Sequence, residues 1–76
     1  MKLSLFGPLR QYGEVTLQVE GSITVRDARE LLRKQLPPQA AVVAQSAFAD
    51  DERVLRDEDL LQGDAHYSVL PPVAGG

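Results

Sequence analysis

Apolar and polar positions along the chain set out its elements. Leu3 and Leu5 alternate with Lys2 and Ser4, the two-residue period of a half-buried strand, and Phe6 falls on the polar side of that pattern. Gly7-Pro8 and Tyr12-Gly13 bracket a loop, after which Val15, Leu17 and Val19 alternate with Thr16, Gln18 and Glu20 as a second strand of a hairpin closed by Gly21-Ser22. Thr24 is placed to cap a helix that begins at Val25, with Asp27 bringing negative charge to its first turn. Val25, Ala28, Leu31, Leu32 and Leu36 form an apolar stripe at helical spacing, while Arg26, Glu30, Arg33 and Lys34 lie off it as a solvated face, Glu30 and Lys34 spaced to pair. Pro37-Pro38 stops this helix.

Residues 39–45 read as a connection with helical character. Ala47-Phe48-Ala49 predicts a short strand, turned by Asp50-Asp51-Glu52 into a second run at Arg53-Val54-Leu55. Leu60 and Leu61 pack next, a turn comes at Gly63-Asp64, and a last strand runs from His66 to Leu70 with Tyr67 and Val69 on one face. Two strands, a helix and three further strands make an α+β roll, the β-grasp: a mixed sheet with one main helix covering one face. The other face is left open. Phe6 and Leu70 are out of phase with their core-facing neighbours, so both emerge there as a candidate docking patch. Scattered exposed apolar residues are common, and the patch gains meaning from the end of the chain beside it.

The chain ends in Pro71-Pro72-Val73-Ala74-Gly75-Gly76. The prolines favour an extended segment, and two residues without Cβ fit a channel too narrow for side chains, with the Gly76 carboxylate as the only reactive group. The chain therefore divides into a domain over 1–70 and a flexible, extended reactive tail over 71–76. A frayed end is the plain alternative for a diglycine taken by itself.

With 76 residues the chain is one small domain that buries about 60% of its unfolded surface. It contains no cysteine, which excludes disulfides, thiolate nucleophiles and thiolate metal ligands. A net charge of -3 argues against nucleic acid as the main partner. No apolar run has the length of a membrane span, and Met1–Phe6 is too short for a signal's apolar region, so a cytoplasmic location is expected. His66 is the sole histidine, and no sequence signature places Ser and Asp around it as a triad, so it reads as a half-exposed polar residue. The acids between Asp50 and Asp59 lack the spacing and turn glycine of a calcium loop, and Arg53 and Arg56 interrupt them. They read as a solvated rim suited to a basic partner. Gly7, Gly13 and Gly21 form no phosphate cradle. Neither a metal nor a bound cofactor is expected. A carboxylate is inert until activated, so chemistry at Gly76 calls for a separate ATP-using enzyme.

The chain resembles the ubiquitin-like sulfur carriers, and within them the small subunit of molybdopterin synthase. The likeness is carried by Leu5-Phe6-Gly7-Pro8-Leu9-Arg10, by Thr24-Val25, by Gly63-Asp64 and above all by Leu70-Pro71-Pro72-Val73-Ala74-Gly75-Gly76. The related carrier for thiamine synthesis shares the diglycine and generally lacks the proline pair. The chain departs from the common pattern at Ala49-Asp50, where many relatives have Val-Asn, and by one extra residue between Gly63-Asp64 and Pro71. The resemblance implies that Gly76 is adenylated by a ubiquitin-activating-like enzyme at the expense of ATP and converted to a thiocarboxylate. It further implies that the tail enters a large catalytic subunit, in a heterotetramer, and gives its sulfur to a pterin precursor for the molybdenum cofactor. The domain itself would be a non-catalytic sulfur donor, with Phe6 and Leu70 as partner contacts. A protein modifier, or a carrier for another pathway such as tRNA thiolation, is the alternative.

Overall fold

The computed structural model describes residues 1–72. A five-stranded sheet is built from β1 (Lys2–Leu5), β2 (Glu14–Thr16), β4 (Ala47–Ala49), β5 (Val54–Leu55) and β7 (His66–Leu70), in the order β2-β1-β7-β4-β5. β1 and β7 run parallel at its centre, and the other neighbours are antiparallel. Two further strands, β3 (Ser22–Thr24) and β6 (Leu60–Gln62), pair separately. The main helix α1 (Val25–Gln35) and the short α2 (Ala40–Ala44) complete the mixed α+β roll of a β-grasp.

Alternation decides which side of the sheet each residue joins. Leu3, Leu5, Phe48, Leu55, Tyr67 and Val69 are buried from the sheet, and Val25, Ala28 and Leu32 meet them from α1 in one cluster. Register explains the coherence: Leu3 lies opposite Tyr67, Leu5 opposite Val69, and Phe48 opposite both Val69 and Leu55. The Tyr67 hydroxyl accepts a hydrogen bond from the Gln62 amide at 2.8 Å, so the buried ring keeps its polar end satisfied.

α1 starts as expected. The Thr24 side chain accepts from the Asp27 amide at 3.2 Å, filling one of the donors the first turn leaves open. Its stripe is narrower than the sequence suggests, because Leu31 is exposed. At roughly 100° per residue, Leu31 falls about 90° from the line through Val25, Ala28 and Leu32, whereas Arg29 falls about 70° from it on the other flank. Arg29 is accordingly the helix charge drawn inward. Its side chain is 15% exposed, its Nε donates to the Ser46 carbonyl at 3.1 Å, and its guanidinium lies 5.8 Å from the centre of the Phe48 ring. Glu30 pairs with Arg33, one residue nearer than the expected Lys34.

Three expectations for the loops are corrected. The bracketed loop is a 3-10 turn, Gly7–Tyr12, with Leu9 buried beneath it. The second strand ends at Thr16: Leu17 still exchanges backbone hydrogen bonds with Met1, but the chain then bends so that the Val19 carbonyl lies against Gly63. Of the leucine pair only Leu61 packs, since β6 is a strand and alternation turns Leu60 to solvent.

Gly63 ties the end of the β3–β6 pair to the start of β1, its carbonyl accepting from the Met1 ammonium at 2.5 Å. Its amide donates to the Gly21 carbonyl at 2.7 Å, and a Cβ there would sit 2.3 Å from the Val19 carbonyl oxygen. Backbone cannot yield as a side chain does. Gly63→Ala is expected to lose about 2 kcal/mol or more, and Thr24→Ala about 1 kcal/mol, restored by Thr24→Ser. Thermal melts check both, at about 4–8 °C per kcal/mol for a domain this small. A Gly63→Ala midpoint equal to that of the parent chain would contradict this packing.

Candidate functional site

The uncovered face of the sheet is assembled by the residues that alternate with the core. It carries Ser4 from β1, His66, Ser68 and Leu70 from β7, Ala47 and Ala49 from β4, and Val54 from β5. Phe6 comes directly after β1, and its amide donates to the Val69 carbonyl at 3.3 Å, which ties it to the end of β7. Phe6 is 45% exposed and Leu70 36%, as their phase in the sequence implies. Val54, 57% exposed, is a further apolar residue of this face that sequence reasoning passed over. Its signal was available, because Val54 precedes the core-facing Leu55 on a strand.

The tail leaves from the same corner. Pro71 is half-buried and Pro72 exposed. Gly7 has a φ of 58°, a left-handed turn that a side chain would strain, and a carbon placed on it would lie 3.7 Å from Cγ of Pro71. The turn after Phe6 thus abuts the first residue of the tail. Val73, Ala74, Gly75 and Gly76, the remainder of the candidate reactive segment, lie outside the described residues.

Beside the apolar corner the face turns polar. His66 gathers neighbours that its sequence surroundings do not reveal. Ser4 Oγ lies 2.6 Å from His66 Nε2, because parallel pairing of β1 with β7 brings residues 62 apart together. Glu14 Oε2 stands 3.6 Å from that same nitrogen. A serine-activating relay needs its acid on the other ring nitrogen, so serine and carboxylate here compete for one position and no relay is assembled. Among the described residues no group of three His, Cys, Asp or Glu side chains is placed to hold a metal, and no helix is long and apolar enough to cross a membrane.

The acidic stretch separates into two halves. Glu58 pairs with Arg26, Asp57 with Arg29 at 3.0 Å, and Asp59 with Arg53 at 3.3 Å. Asp59 also accepts from the Arg56 amide, and that bond first, with the nearby Arg53 and Arg56 charges, holds its carboxyl below the usual range. This half serves to fasten the loop to α1 and to the start of β5. In the other half Asp50 Oδ1 accepts from the amides of Glu52 at 2.8 Å and Arg53 at 2.9 Å, closing the β4–β5 turn. Those two backbone donors lower the Asp50 pKa and keep the carboxyl ionised.

A model of the ThiS family matches residues 3–76. No curated protein matches the chain. The match spans the strands, the main helix and the diglycine end, and the chain belongs to the ThiS family of ubiquitin-like sulfur carriers.

Proposed function

We propose that this carrier is the sulfur-donating small subunit of molybdopterin synthase. The observation that carries the reading is Pro71-Pro72 between the open-face residue Leu70 and the terminal Gly75-Gly76. The proline pair favours the molybdopterin branch over the thiamine branch of the resemblance, and the exposed Phe6 and Leu70 beside Pro71 offer a partner something apolar to grip at the tail's root.

The chemistry is that of an acyl group activated elsewhere. The Gly76 carboxylate attacks the α-phosphorus of ATP in the active site of a ubiquitin-activating-like enzyme, and pyrophosphate leaves. A sulfide equivalent then adds to the acyl carbonyl and AMP departs with the former carboxylate oxygen, leaving a thiocarboxylate. In the large subunit that sulfur passes to a pterin precursor, and the carboxylate is regenerated by water. Two sulfur atoms are needed for a dithiolene, which suits an assembly with more than one carrier. Gly75 and Gly76 supply a chain without side chains to block the channel. The domain contributes docking through Phe6 and Leu70 and catalyses nothing itself. The proposed setting is the cytoplasm, with neither nucleic acid nor membrane as partner.

The test is the intact mass of the chain after incubation with ATP, sulfide and the activating enzyme. Replacement of one oxygen by sulfur at the terminus is the expected result. The chain lacking Gly76 is expected to show no exchange of pyrophosphate into ATP while melting at the parent temperature; undiminished exchange would contradict the assignment. Phe6→Asp and Leu70→Asp are each expected to raise the KM for activation roughly ten-fold, as loss of an apolar interface anchor does. Stability should change by only about 0.5 kcal/mol, as at exposed positions generally. A large fall in melting temperature with unchanged KM would show that these side chains serve the fold instead. Conjugates of the chain to lysines of other proteins would favour a modifier.

A further inference from the structure

The polar half of the open face holds a cleft of about 450 Å³, lined by Ser4, Ser68, His66, Asp50 and Asp51 over Ala49. We infer that this cleft receives an arginine side chain of the protein that covers the open face, its guanidinium held by Asp51 and the neighbouring hydroxyl groups. The inference rests on the docking role proposed for Phe6 and Leu70 and adds the chemistry of the partner's contact.

Three observations carry it. First, the two acids of the cleft form no ion pair among the described residues, although the nearby Arg53 charge acts on Asp50. Asp57, Glu58 and Asp59 are each answered by an arginine of this chain, whereas Asp51 forms no ion pair among the described residues, and Asp50 spends one oxygen on its turn and keeps the other. Lys2, which stands opposite His66 across the β1–β7 pairing, is not part of the lining. Second, the acceptors are spread around a space large enough for a side chain. Five N–H donors in a plane match acceptors on several sides better than the point charge of lysine does. Third, the cleft is continuous with the apolar corner. Ser68 and Leu70 are alternate residues of β7, roughly 7 Å apart on the same face, so one partner surface presenting an apolar group and an arginine spans both. An apolar anchor with a charged neighbour is also how interfaces combine affinity with choice of partner.

The probe is L-argininamide, titrated at low ionic strength into the isotopically labelled chain and followed by amide chemical shifts. Saturable shifts confined to residues 4, 49–51, 66 and 68 are expected. Citrulline amide, of similar shape without the guanidinium charge, should produce none. Asp51→Asn should weaken argininamide binding about three-fold, the scale of a partly exposed charge pair, and Asp57→Asn should leave it unchanged. Shifts dispersed over all the acidic residues, or equal binding by Asp51→Asn, would overturn the cleft as a guanidinium site. The same Asp51→Asn chain should show a raised KM for activation or a weakened complex with the large subunit; argininamide binding with both unaltered would overturn the assignment to a partner's arginine. Neither amide titration involves Gly76 or Leu70. Failure of the docking reading, seen as Leu70→Asp activated with unchanged KM, is therefore distinguishable from failure at the cleft.

Discussion

Parallel pairing of β1 with β7 sets both the core and the open face. It unites the first and last strands and sets Leu3 against Tyr67 and Leu5 against Val69 in the core. The same register places Ser4 beside His66 and delivers Phe6 to the end of β7, where its amide meets Val69. The root of the tail is thereby fixed next to the exposed aromatic side chain of the open face. Because alternation is strict along a strand, a slip of one residue would send Leu3 and Leu5 to solvent and bring Ser4 into the core. One pairing thus decides packing and presentation together.

The helix side of the molecule gives that pairing its support. Arg29 links α1 to the Ser46 carbonyl, to the Phe48 ring and to Asp57, and Arg26 reaches Glu58. These contacts neutralise the acids nearest the helix and leave the Asp50–Asp51 end facing the uncovered sheet. Acids that read as one rim in the sequence are therefore two surfaces with different duties. Gly63 and the Thr24 cap hold β3, β6 and the helix start against this framework.

Much of this was legible in the sequence because it rests on local rules. The alternation of Leu3, Leu5, Tyr67 and Val69, the Thr24 cap and the turn at Asp50 each need only neighbouring residues, and the exposure of Phe6 and Leu70 came from phase. β3 and β6 carry no readable signal because three-residue strands beside a glycine turn and a helix cap have too few positions to show a period. Leu31 and Leu60 were misplaced for related reasons, one at the flank of a narrow stripe and one on an unrecognised strand. The Ser4–His66–Glu14 grouping and the inward turn of Arg29 depend on which elements become neighbours, which no local pattern states. The chemistry proposed for Gly76 comes from the resemblance carried by Leu70-Pro71-Pro72-Val73-Ala74-Gly75-Gly76, and Gly76 lies outside the described residues.

The destination of the sulfur separates the molybdopterin branch from the other carriers. The most direct measurement takes the chain with Gly76 as a thiocarboxylate, adds the molybdopterin synthase large subunit and the pterin precursor, and follows the intact mass alongside the pterin product. Conversion of the terminus back to a carboxylate with stoichiometric appearance of dithiolene sulfur is the predicted result. A thiocarboxylate that persists there, yet discharges into a thiamine thiazole or a transfer RNA when offered those systems instead, would contradict it.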